Sequence, residues 1–368
     1  MYKHNRTAKQ KAYESSFQSA IAGNIHPYRA CFYLTGACNL TCTYCAQKKS
    51  LIGNDMGLEE WKRAADIAYM LGNRCISLAG GEPLLSPFVL ELVEYISARD
   101  TFVGITTNGH CLNEELLHAL DKAGLDTIRL SIDTLENDGQ PKFGKSLTAE
   151  LERILKYIVN SKFRFRATVN AVVTKYNLAI LPEMLRYFSK LGIPIRFSLM
   201  VRGVVNHSYT EELALGEEDL HEVERTFEKL WAMKSEGYLL DHEDCLITQL
   251  KPKMGVCTPA GVYKMYTQLK PKMGVCTPAG VYQMYMGGSS RLNCKGGVYD
   301  LAVNNDGRLE ICGTGLTSST HIFEISSIED YHSDISRNRT VTNQCKGCPW
   351  TYKWVLTHLE EAGGFMKS

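Results

Sequence analysis

Between about residues 29 and 200, short β-rich runs alternate with stretches of helical periodicity. This alternation restricts the chain to a parallel sheet covered by helices. The β-rich runs fall at 30–34, 75–78, 102–106, 127–132, 165–173 and 195–199. Between them apolar residues recur at three- or four-residue steps. Leu58, Trp61, Ala65, Ala68 and Leu71 form one stripe, Leu151, Ile154, Leu155 and Ile158 a second, and Leu181, Leu185 and Phe188 a third. Asn113, followed by Glu114 and Glu115, reads as the N-cap and first turn of a helix carrying Leu116, Leu117 and Leu120. Six βα units of this kind predict an α/β fold. Their handed crossovers curl the sheet into a partial, TIM-like (β/α)6 barrel. In such folds chemistry sits on the loops that follow the strands.

The rest of the chain is expected to divide around that barrel, taken as 29–210. Residues 1–28 form an N-terminal extension that is polar, with Lys3, Arg6, Lys9 and Lys11, and lacks the apolar stretch of a secretory signal. Residues 211–290 read as a charged, helix-prone linker. Within it TQLKPKMGVCTPAGVY at 248–263 recurs unchanged at 267–282, an offset of 19 residues. Two copies are too few for a solenoid, so the repeat is taken as a tandem duplication in a surface connection. From 291 to 368 the pattern turns to short β-like runs, with a hairpin expected at 299–312 around Asn305-Asp306-Gly307. This last stretch is expected to be a small α+β module that binds a cluster.

With 44% hydrophobic residues the 368-residue chain can bury one large core. A formal net charge of +1 supplies no global field that would draw it to nucleic acid or a membrane surface. No apolar run reaches the roughly 18 residues needed to span a bilayer. The expectation is a cytoplasmic protein without membrane or nucleic-acid partners. Its 13 cysteines then call for explanation, because a reducing compartment disfavours a disulfide framework. Seven of the 13 fall into two groups with metal-ligand spacing.

The first group, Cys38-Asn-Leu-Thr-Cys42-Thr-Tyr44-Cys45, directly follows the first predicted strand. Three thiolates can occupy three irons of a cubane and leave the fourth open to a small chelating ligand, whereas an electron-carrying cluster normally takes four cysteines. Zinc in a structural site also wants four protein ligands. The C-x3-C-x2-C spacing, with Tyr44 before the last cysteine, resembles the signature of the radical S-adenosylmethionine (SAM) superfamily. That resemblance implies a 4Fe–4S cluster on Cys38, Cys42 and Cys45, whose open iron takes the amino and carboxylate groups of SAM. It further implies reductive cleavage of SAM to a 5′-deoxyadenosyl radical.

Three later loops extend the resemblance. Gly80-Gly81-Glu82-Pro83 after the second strand is similar to the family element that contacts the methionine amino group of SAM. Thr107-Asn108-Gly109 after the third is similar to an element near the ribose. Ser131-Ile132-Asp133 at the end of the fourth is similar to an S-x-D element near the ribose or carboxylate. The run from Asn170 to Asn177 on the fifth strand also follows a family pattern. Taken alone, each could be a turn or a cap.

The second group is Cys294, Cys312, Cys345 and Cys348. Its C-x12-G-x4-C step followed by C-x2-C resembles the auxiliary-cluster module of the same superfamily, in the shorter form called twitch rather than the longer SPASM form. The resemblance implies a second 4Fe–4S cluster, with Cys276 (duplicated as Cys257) as an alternative ligand. A structural zinc remains the alternative at this point. Cys31 and Cys75 are expected in the core. Cys111, beside His110 after the third strand, is a candidate hydrogen donor facing the site; the sequence names no other catalytic residue.

An auxiliary cluster can accept an electron from a substrate radical, so the resemblance implies an oxidative modification. The substrate is expected to be a ribosomally made peptide that becomes cross-linked, with dehydrogenation of a carbinol in a small polar metabolite, such as an aminocyclitol, as the alternative. About 28 residues precede the first strand, too few for a folded leader-binding domain, so a separate peptide-recognition protein is a candidate partner. A flavodoxin or ferredoxin-type donor is expected to supply electrons. An iron–sulfur electron carrier or a zinc module would need none of the three SAM-type loops.

Overall fold

The computed structural model describes residues 8–21, 24, 26–45, 47, 51, 53–135, 145–200, 212–213, 215, 217–241, 300–312 and 316–338. The 248–285 duplication, together with Cys245, Cys257, Cys276, Cys294, Cys345 and Cys348, lies outside the described residues.

Six strands alternate with helices as the periodicity requires: β1 (Arg29–Tyr33), α2 (Leu58–Met70), β2 (Cys75–Ala79), α3 (Val89–Ser97), β3 (Phe102–Thr107), α4 (Glu114–Ala123), β4 (Thr127–Ser131), α5 (Ala149–Asn160), β5 (Arg166–Val173), α6 (Leu181–Leu191) and β6 (Ile195–Leu199). A further helix, α1 (Ala8–Ile21), precedes them. All neighbouring pairs from β1 to β6 are parallel, in the order β6-β5-β4-β3-β2-β1. This is a partial TIM-like barrel. Ile76 and Leu78 of β2, Ile128 and Leu130 of β4, and the predicted stripes of α2, α5 and α6 all pack into one core. Trp61 of α2 meets Phe32 of β1 there, with ring centroids 5.1 Å apart. The alternate residues on β4, Thr127, Arg129 and Ser131, are only half-buried and point to the other face of the sheet, as the two-residue period of a strand demands.

Two departures from the sequence reading concern the flanks. The stretch read as a linker carries α7 (Leu220–Ser235), whose Val223, Leu230 and Met233 are buried in the main core. Beyond it Leu240 bridges in parallel to Ile195 and covers the outer edge of β6. Charged residues dominate this helix in sequence and mask a narrow apolar stripe that only packing reveals. The predicted hairpin is present as β7 (Asp300–Val303) and β8 (Arg308–Cys312), followed by β9 (Leu316–His321) and α8 (Ile328–Arg337). It does not stand apart, because β7 pairs in parallel with β1 and makes one nine-stranded sheet with the barrel. Arg29 and Asp300 form an ion pair at 2.5 Å across that seam. Among the described residues no helix is long and apolar enough to cross a membrane.

The Asn113 carboxamide accepts a hydrogen bond from the Leu116 amide at 2.8 Å, capping α4 as predicted. Asn113→Ala is expected to lower stability by about 1 kcal/mol, read as a reduced denaturant midpoint with unchanged slope.

Candidate active site

The loop carrying Cys38, Cys42 and Cys45 leaves the C-terminal end of β1. It is wedged between two other loops by backbone pairing. The Gly81 amide donates to the Thr35 carbonyl at 2.7 Å and the Glu82 amide to the Ala37 carbonyl at 2.8 Å. This close approach explains the two glycines. A Cβ on Gly80, whose φ is +141°, would lie 2.7 Å from the Thr35 oxygen, and one on Gly81 would overlap the Ala37 carbonyl. On the other side Asp55 accepts from Thr35 Oγ1 at 2.5 Å, the Gly36 amide at 3.2 Å and Asn305 Nδ2 at 2.7 Å. The hairpin turn between β7 and β8 therefore braces the cysteine loop.

The Glu82 carboxylate is 1% exposed and accepts three hydrogen bonds, from Thr107 Oγ1 at 2.6 Å, the Asn108 amide at 2.8 Å and the Leu84 amide at 3.2 Å. Burial raises its pKa, partly opposed by these bonds and by the charge of Lys145. Of about four acceptor positions on a carboxylate, three are used within the protein. Glu82 thus ties the loop after β2 to the loop after β3 and keeps little capacity for a ligand. Pro83 is buried in the short 3₁₀ turn that follows. Asn108 reaches the cysteine loop directly: its Nδ2 donates to Asn39 Oδ1 at 2.7 Å and approaches Cys38 Sγ at 3.9 Å. The Leu40 amide also points at Cys38 Sγ, at 3.4 Å.

Asp133, likewise 1% exposed, accepts from the Val172 amide at 2.8 Å, the Lys145 amide at 2.9 Å and the Tyr44 hydroxyl. Asn177 Nδ2 donates to its carbonyl at 2.9 Å. The sequence reading sends Asp133 toward SAM; here its carboxylate serves as the anchor for Tyr44, next to Cys45. Burial, and then the Asp133 charge, raise the Tyr44 phenol well above its usual value, so it keeps its proton and donates it. Ser131 sits half-buried at the end of β4.

Lys145 is the main residue that sequence reasoning missed. Its Nζ donates to Tyr44 Oη at 2.8 Å. It belongs to no motif, and only its position shortly after the S-x-D element could have drawn attention to it. Its pKa is raised above the ordinary lysine value: burial works against the ammonium, but the hydrogen bond to Tyr44 and the charge of Asp133 favour it.

Cys38 is exposed, while Cys42 and Cys45 are half-buried. Burial raises the Cys42 thiol, as do Asp133, Cys45 and Cys38, while Lys145 lowers it. Among the described residues no three His, Cys, Asp or Glu side chains could share a single metal ion. Three thiols are also one ligand fewer than a structural zinc takes. They fit a group that takes one thiolate per iron, with N–H groups directed at sulfur as such clusters use. Cys111 lies against this loop, with Asn39 Nδ2 3.7 Å from its sulfur. Burial, followed by the charges of Glu82 and Cys38, raises its pKa, so its thiol stays protonated. Cys31 and Cys75, expected in the core, are half-buried, and Cys31 packs with Tyr33 and Ala302 on the sheet face opposite the main core. Of the second cysteine group only Cys312 lies among the described residues, as the last residue of β8.

The chain matches the Radical SAM superfamily over residues 32–214. This span includes the cysteine loop and the loops after β2, β3 and β4, but not the β7–β8 turn. The chain contains a radical SAM domain. Members of the superfamily bind SAM and a 4Fe–4S cluster. The chain is 30% identical over 161 residues to a PqqA peptide cyclase of Granulibacter bethesdensis, covering 43% of each chain. It is 30% identical over 208 residues to a GTP 3′,8-cyclase of Aquifex aeolicus, covering 53% of this chain and 63% of that one. The chain thus spans about half the length of these curated relatives. In fold it is similar to Streptococcus suis SuiB bound to its precursor peptide SuiA, with a TM-score of 0.62 and 16% identity over 91% of this chain and 75% of that one.

Two outcomes test this geometry. Gly81→Ala forces Cβ into the Ala37 carbonyl and is expected to cost about 1–3 kcal/mol, with weaker iron uptake on reconstitution. In the iron-free chain at pH 8, iodoacetamide is expected to label the exposed Cys38 well before Cys31. Burial pushes the Cys31 thiol up to about 12, and reactivity follows the thiolate fraction.

Proposed function

We propose that this protein reductively cleaves SAM at a cluster on Cys38, Cys42 and Cys45 and oxidatively modifies a ribosomally made peptide. The observation that carries the first half is the convergence of three strand-end loops on the three-cysteine loop, through Glu82, Asn108 and the Asp133–Tyr44 pair. When bound, the cluster and SAM supply a 5′-deoxyadenosyl radical that takes a hydrogen atom from a substrate carbon. The chain's own residues do the rest of the positioning. Asn108 and the Leu40 amide direct hydrogen-bond donors at Cys38 Sγ. Asp133 and Lys145 hold Tyr44 and, through it, the end of the cysteine loop. Ser131, on the sheet face away from the core, would meet SAM, with the one remaining acceptor position of Glu82 beside it.

Completion of the oxidation is assigned to an auxiliary 4Fe–4S cluster on Cys294, Cys312, Cys345 and Cys348, with Cys276 as the alternative ligand. The hairpin supports this assignment. Its turn braces the SAM-type loop, and five residues of β8 at about 3.3 Å each carry Cys312 to the opposite end of the sheet. Cys312 would thus belong to a cluster separate from that on Cys38, Cys42 and Cys45. Cys111, protonated beside Cys38, is the candidate hydrogen donor for a substrate radical. The peptide assignment rests on the relatives, a PqqA peptide cyclase and the peptide-bound SuiB. A flavodoxin or ferredoxin-type protein in the cytoplasm would deliver the electrons, and a separate recognition protein could present the peptide.

Anaerobic reconstitution should load about eight irons per chain, and dithionite should then drive SAM cleavage. Replacing Cys38, Cys42 and Cys45 by Ala is expected to abolish cleavage. Replacing Cys345 and Cys348 should abolish product while leaving uncoupled cleavage, measured as 5′-deoxyadenosine without modified substrate. Full turnover by that second variant would exclude a catalytic auxiliary cluster. A precursor peptide encoded beside the gene, modified by the reconstituted protein, would establish the substrate class. Turnover of a small metabolite instead would overturn the peptide assignment.

A further inference from the structure

Lys145 lies outside every motif of the site, yet its ammonium stands against the cysteine loop. Nζ is 2.8 Å from Tyr44 Oη and 5.0 Å from the centre of the Tyr44 ring. The same charge acts on Cys42, Asp133 and Glu82. Its backbone is pinned at both polar groups. The amide donates to Asp133 Oδ2 at 2.9 Å. The carbonyl accepts from the amides of Asp133 at 2.7 Å and Thr134 at 3.3 Å. With the backbone already fixed, holding the ammonium at Tyr44 costs side-chain entropy only. Asp133 does not depend on this ammonium alone, because two amides and the Tyr44 hydroxyl also occupy its acceptor positions.

A cubane held by three thiolates becomes more negative by one charge on reduction, and nearby charge is one of the levers on its potential. In a half-buried site, where charges are poorly screened, a fixed cation favours the reduced form. We propose that Lys145 is a positioning residue that holds the Cys42–Cys45 segment through Tyr44 and makes the cluster on Cys38, Cys42 and Cys45 easier to reduce. This rests on the radical SAM assignment above. One electron from the flavodoxin or ferredoxin-type donor enters the cluster. No bond is made or broken in that step, and Lys145 keeps its proton throughout.

The test is a redox titration of the full reconstituted chain, followed by electron paramagnetic resonance in the absence of substrate. It compares the wild type with Lys145→Met, Lys145→Gln and Lys145→Arg. Metal analysis comes first, and a wild-type chain that takes up no iron would sink the parent assignment rather than this one. In the Met and Gln variants, the ratio of reduced to oxidised cluster at a fixed potential is expected to fall about tenfold, equivalent to about 59 mV for one electron. The Arg variant should stay near the wild type. Met or Gln variants that load iron and titrate like the wild type overturn the proposal. If Met and Gln fail to hold the cluster while Arg holds it, the charge is again what matters. Failure of all three would mean that lysine's shape alone is required, and the proposal falls.

Discussion

The buried carboxylate of Asp133 is the contact on which the site depends. A charge taken out of water is tolerated only when its acceptor positions are filled. Here the Val172 amide of β5, the Lys145 amide and the Tyr44 hydroxyl fill them. One side chain thereby joins the fourth strand end, the fifth strand, the returning segment at Lys145 and the cysteine loop. Glu82 does the same for the loops after β2 and β3. With these two carboxylates in place, the three thiols have a fixed floor to stand on.

The sheet supplies the frame for that arrangement. Parallel pairing from β1 to β6 brings all six strand ends to one side, so loops far apart in sequence become neighbours. Extension of the sheet through β7 places the hairpin turn at that same side. Asp55 then links Thr35, Gly36 and Asn305. The C-terminal hairpin is therefore a buttress of the cysteine loop, whatever its own cysteines hold.

Much of the fold was legible in the residue pattern. The stripes at Trp61, Ile154 and Leu185 face the core as their periodicity requires, and Asn113 caps its helix. The packing of the helix at Leu220–Ser235 was obscured because Val223, Leu230 and Met233 are scattered among charged residues. Their burial follows from contact with the barrel rather than from local spacing. The docking of β7 on β1 was equally hidden, since strand pairing across about 270 residues leaves no local mark. Within the site the folded chain adds contacts that no motif announces. Glu82 and Asp133 turn most of their hydrogen-bonding capacity inward, to amides of neighbouring loops. Which donors surround a carboxylate is a property of the folded chain.

By itself the sequence determined the strand–helix alternation, the positions of the strand-end loops and the three-thiol spacing, because each depends on residues close together along the chain. Tertiary structure alone decided that Tyr44, Asp133 and Lys145 form one hydrogen-bonded relay and that a hairpin turn braces the cysteine loop. Those contacts tie the cysteine loop and its neighbour Asp55 to residues 89 to 250 positions away. They exist only once the sheet has closed the distance, so that polar groups in a half-buried site must satisfy one another in place of water.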